Sequence, residues 1–147
     1  MKKLMIAAAV AAICTAGAAQ AADPGAYVEY RMSVMSAVGG HMKAMAGKMK
    51  AGLEVTDQTA EHASAIAAMM ETYAEAFPAD SKGVGKSEAT DAVWEKMDAF
   101  KAGTMKAAEA AKALAMAAES GAAPAEIGEK LGALGGTCKG CHDTFKK

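Results

Sequence analysis

Apolar residues recur at steps of three and four along most of the chain, which is the period of a helix with one buried face. From Pro24 to Ala51 the stripe reads Val28, Met32, Met35, Val38, Met42, Met45 and Met49, running on to Leu53. This predicts helix A, stopped by Gly52. Gly39-Gly40 lies inside it at a cost of about 1 kcal/mol per glycine, which points to something large coming close there. Helix B is expected from Asp57 to Phe77, with Ile66, Met70, Tyr73 and Phe77 on its seam and Pro78 ending it. The polar, glycine-bearing stretch 79–86 reads as the longest loop. Helix C is expected from Ser87 to Ser120, with Val93, Met97, Phe100, Ala107, Ala111, Leu114 and Ala118 inward and Trp94 and Met105 beside them. Gly121 closes it. Helix D opens with Pro124 in its first turn, and its seam is Ile127, Leu131, Leu134, Cys138, Cys141 and Phe145. Four amphipathic helices with short connections predict an all-α, antiparallel four-helix bundle.

The start of the chain has a different pattern. Lys2 and Lys3 precede a short apolar run to Cys14, and Ala19-Gln20-Ala21 is a small-residue cleavage site. Residues 1–21 therefore read as a cleaved secretory signal, too short to span a membrane. Residues 22–147 are expected to form one domain, exported to a bacterial periplasm. Cys14 leaves with the signal, so the mature chain keeps two of the three cysteines. With Lys2 and Lys3 gone, 16 basic residues become 14 against 17 acidic ones, a net charge of about −3. A nucleic-acid binder needs a basic footprint, so that class is set aside. Three Tyr, three Phe and one Trp are too few for an ordinary β core.

The chemistry lies in Cys138-Lys139-Gly140-Cys141-His142. Two cysteines separated by two residues and followed at once by histidine form the attachment signature of a c-type haem. Each thiol adds across a haem vinyl group, and the histidine ligates the iron. A thioredoxin-like redox pair would need a βαβ context, and a structural zinc site would need two further N or S ligands. On helix D both cysteines fall on the inward seam, and His142, four residues after Cys138, lies on nearly the same face. The haem is thus expected inside the bundle, with Cys138 and Cys141 binding the cofactor and His142 the metal. Gly132, Gly135, Gly136 and Gly140 on the same helix are read as steric relief for the macrocycle. A loosely wound helix before Cys138 is the alternative.

A c-type motif on the last of four helices resembles the class II cytochromes c, the cytochrome c′ family with its low-spin, methionine-ligated members. The segments that carry the resemblance are Tyr30 to Met35 with Gly39 to Met45, Ala92 to Phe100, and Leu134 to Asp143. The resemblance implies one covalently bound haem c and a homodimer through helices A and B. It implies that Arg31 lies near a haem propionate and that Met35 faces the iron opposite His142. It also places a basic residue, here Lys146, near the face of the haem that His142 binds.

Function then turns on Met35. Bound to iron it gives a closed site suited to one-electron transfer between redox partner proteins, which is the expected role. As an apolar shield it leaves a high-spin cytochrome c′ that binds nitric oxide or carbon monoxide, the alternative. An enzyme is not expected, because the helix A seam offers only methionines and valines where a distal acid or base would stand. His41 and His62 are expected on the surface.

Overall fold

The computed structural model describes residues 23–54 and 57–147. The expected signal peptide lies outside them. Helix α1 spans Pro24–Lys50, α2 Asp57–Thr72, α3 Ala92–Glu95, α4 Met97–Glu119 and α5 Pro124–Phe145. Two short 3₁₀ helices, Tyr73–Ala76 and Ala79–Ser81, follow α2. The long helices α1, α2, α4 and α5 form the bundle that the spacing predicts.

Local chemistry sets the ends. The Asp23 carboxylate accepts from Gly25 N at 3.0 Å, and Pro24 takes the first helical position of α1. Gly52 and Gly121 follow α1 and α4 with φ of 65° and 70°, a left-handed conformation that other residues adopt only with strain. Pro124 opens α5 as expected.

Three expectations about the helices need correction. Helix B does not run regularly to Phe77, because it tightens into a 3₁₀ turn at Tyr73. Helix C does not begin at Ser87. Residues 87–91 are not helical, and Lys96, at φ −129° and ψ 45°, separates α3 from α4. The reason is that the Ser87 hydroxyl is engaged by Arg31 and by Ala89 N, which holds this segment out of a helix. Finally, Met32 and Leu53 lie on the helix A stripe but are 50% and 60% exposed.

The core has two characters. Helices α2 and α4 meet through small residues, with Ala60, Ala63, Ala67, Ala108 and Ala111 all buried. At the other end Tyr73, Phe77, Phe100 and Phe145 form a chain of edge-to-face and tilted rings, with neighbouring centroids 5.2, 4.8 and 5.2 Å apart. Among the described residues no helix is long and apolar enough to cross a membrane.

Candidate functional site

The helices part around a cavity of about 500 Å³, within the range of roughly 300–1,000 Å³ common for cofactor sites. Helix α1 lines it with Arg31, Met32, Met35, Ser36, Val38, Gly39 and Met42. Helix α5 contributes Thr137, Cys138, Cys141, His142 and Phe145, followed by Lys146. Met70, Tyr73, Phe77, Phe100, Gly103, Thr104 and Ala107 close the back. All five residues singled out in the sequence, Arg31, Met35, Cys138, Cys141 and His142, therefore border one cavity.

Helix α5 is continuous from Pro124 to Phe145, so its many glycines do not loosen it. Two of them serve packing against α1. A Cβ at Gly128 would come 3.0 Å from the Met49 methyl, and one at Gly135 would come 4.0 Å from that of Met42. A Cβ at Gly132, Gly136 or Gly140 would meet no heavy atom within 4 Å. Gly103 on α4 was not anticipated, because nothing in its local sequence marks it. A Cβ there would sit 3.6 Å from Cys141 Sγ.

Cys138 and Cys141 are half-buried free thiols. Burial pushes both above the ordinary cysteine value, and for Cys141 the neighbouring Cys138 adds to the effect. Such thiols stay protonated near neutral pH, and thioether formation removes their need to ionise.

Arg31 is 2% exposed and is more constrained than a surface helix residue would be. Its Nη1 donates to Ser81 Oγ at 3.0 Å and to Ala76 O at 3.3 Å. Its Nη2 donates to Ser87 Oγ at 2.9 Å and to Ser81 O at 3.4 Å. The guanidinium stacks over Phe77 and Trp94, 4.7 and 5.5 Å from the ring centroids. Only Nε has no partner, although it is buried. Burial lowers the pKa of Arg31 from its ordinary value, and Tyr73 opposes this. The Tyr73 hydroxyl donates to Arg31 O at 3.2 Å, and burial holds this phenol well above the usual tyrosine range. Ser81 and Ser87 are the partners that sequence reasoning missed. Ser81 sits in what reads as an ordinary polar loop and Ser87 at the expected start of helix C, 50 and 56 residues from Arg31.

These residues fit a haem c. The cavity is mainly apolar, as a macrocycle requires, and two free thiols and an imidazole stand on one wall. At one end is a buried cation with a donor left over, which suits a propionate. Lys146 borders the cavity, but its ammonium pairs with Glu88 at 3.1 Å.

The two remaining histidines lie elsewhere. His41 and His62 are half-buried, not on the open surface as expected, and their Nδ1 atoms meet at 2.9 Å between α1 and α2. Helical spacing places each correctly on its own helix but cannot bring the two together.

A family model described as Cytochrome C′ matches residues 26–146. Cytochrome c′ of Rhodospirillum rubrum is 54% identical over 146 residues, 99% of each chain. The crystal structure of cytochrome c′ from Rubrivivax gelatinosus superposes with a TM-score of 0.76 at 31% identity, over 87% of this chain and 100% of that one. The nitric oxide complex of a variant of cytochrome c prime from Alcaligenes xylosoxidans gives 0.75 at 23% identity, over 86% and 98%.

Proposed function

The chain belongs to the cytochrome c′ family and carries one covalently attached haem c; on that premise we propose that it binds a small neutral gas, nitric oxide or carbon monoxide, on the side of the iron that faces α1. Cys138 and Cys141 hold the haem through thioethers, and His142 is the protein ligand to the metal. Arg31 offers Nε to a propionate, and Met35 walls the gas face without binding iron. The haem supplies an iron that accepts a gas ligand. The protein decides what reaches it.

The observation that carries this reading is the character of the α1 wall. Met35, Val38, Gly39 and Met42 bring no charge and no hydrogen-bond donor to the cavity. Arg31 and Ser36 are the polar residues of α1 on this cavity; the stretch around Met35 offers no hydrogen bond to hold water or an anion, whereas a neutral diatomic needs none. Gly39 adds no side chain at all, and a Cβ built there meets no heavy atom within 4 Å. Support also comes from the Alcaligenes xylosoxidans protein, which was solved in complex with nitric oxide.

Electron transfer between redox partners, with Met35 as sixth ligand, is the second reading. It is favoured by the place of Met35 in the cavity wall and the length of its flexible thioether. Neither role calls for a residue that moves a proton, so neither is enzymatic. The protein would work in the periplasm once its signal is removed, singly or as a homodimer through α1 and α2, and without nucleic acid.

Visible spectra of the ferrous holoprotein separate the readings. A high-spin spectrum that converts at once under carbon monoxide is expected. A low-spin spectrum untouched by carbon monoxide, which turns high-spin in Met35→Ala, would give the site to electron transfer.

A further inference from the structure

His142 sits in the last turn of α5, where a helix leaves four carbonyls without helical partners. They belong to Asp143, Thr144, Phe145 and the capping Lys146, because His142 O still takes the last helical bond, from Lys146 N at 3.1 Å. Two of the four are capped from a distant segment. Thr144 O accepts from Thr90 Oγ1 at 3.1 Å, and Phe145 O accepts from Thr90 N at 3.0 Å. Lys147 N donates to Glu88 O at 2.8 Å beside an antiparallel bridge between Ala89 and Lys146. The Glu88 carboxylate pairs with the Lys146 ammonium at 3.1 Å. The segment is anchored in turn from α1, because Ser87 Oγ accepts from both Arg31 Nη2 and Ala89 N.

The end of a helix frays unless its carbonyls find partners. A metal ligand in a fraying turn would be poorly oriented, and groups behind a ligand tune the metal through that orientation. We propose that Thr90 and Glu88 are positioning residues for His142. They clasp the last turn of α5 and fix how firmly the imidazole is presented to the iron. Arg31 and Ser87 tie this clasp to the α1 side of the same cavity. The inference rests on the haem c site and is the same whether the protein binds gas or carries electrons.

The test uses the holoprotein and Thr90→Val, which removes one donor without changing charge. Amide exchange of residues 143–147 should quicken by about three- to ten-fold, the effect of losing one net hydrogen bond. The midpoint potential should rise, since a loosely held imidazole donates less to ferric iron. Thr90→Ser should restore both. Glu88→Gln should quicken the same amides by a smaller factor. If Thr90→Val leaves exchange and potential at wild-type values, the proposal fails. It fails equally if exchange quickens while the potential stays fixed, for the clasp is then only a helix cap. Haem that washes out of the wild-type protein in acidified solvent would refute the attachment site, and His142 positioning with it. That failure is distinct, because it appears without any change at Thr90.

Discussion

Helices α2 and α4 pack closely along a seam of alanines, while α1 and α5 face each other across a cavity and meet through Met42 and Met49 over Gly135 and Gly128. Both pairs belong to one bundle and both follow the same helical spacing. On the first seam Ala63, Ala108 and Ala111 are fully buried, and the Glu71 carboxylate bridges to the Lys112 ammonium at its edge. Small side chains let the two backbones approach until little space is left. On the other side stand methionines, glycines, two thiols and a histidine. Long flexible thioethers line a space without filling it rigidly. Bundle helices therefore separate where the residues between them cannot complete a core, and a haem held in the cavity would complete it.

The sharpest way to break this comparison is to add volume on each side. Ala63→Leu should cost about 2–3 kcal/mol, because a tight seam cannot take extra methylenes. Met35→Leu, with nearly equal volume in a flexible wall, should cost less than about 1 kcal/mol. Denaturant unfolding of the holoproteins measures both, and equal costs would erase the distinction.

A smaller effect concerns alkaline pH. Burial raises the Tyr73 pKa, so the folded state keeps its phenol protonated where the unfolded chain has released that proton. This contribution is whole below the ordinary tyrosine value of about 10 and is lost as pH rises beyond it, by about 1.4 kcal/mol per unit. Tyr73→Phe should flatten that slope. Parallel stability profiles for the two proteins above pH 10 would sink the prediction.

The smallest effect is at His41 and His62, which join α1 to the tightly packed half. Loss of their hydrogen bond in His41→Ala should cost about 1 kcal/mol. Removing both rings should cost clearly less than the two single changes summed, as the double-mutant cycle would report.

Much of the site is legible in the sequence because it is local. The spacing of Cys138, Cys141 and His142 is covalent chemistry written within one turn and a half of helix, and periodicity alone sets it on an inward face. The alanines of α4 and the methionines of α1 declare their seams in the same way. Ser81, Ser87 and Gly103 carry no such signal. A serine in a polar loop or at a helix start, and a glycine inside a helix, read the same whether they serve a site or nothing. The break at Lys96 and the unwound segment 87–91 were missed for a related reason. The pull on Ser87 comes from Arg31, on another helix, and outweighs the local preference to begin a helix there.

The sequence by itself determined the four amphipathic helices, the attachment of a haem c and the wall on which its cysteines stand, since each depends on residues a few positions apart. Only the tertiary structure decided that Arg31 is buried with just Nε spare, that two histidines meet between α1 and α2, and that Thr90 and Glu88 close the turn holding His142. Those contacts join residues 21 to 59 positions apart, and the energy of a hydrogen bond or a tight packing depends on distance in space, which the order of residues along a chain does not record.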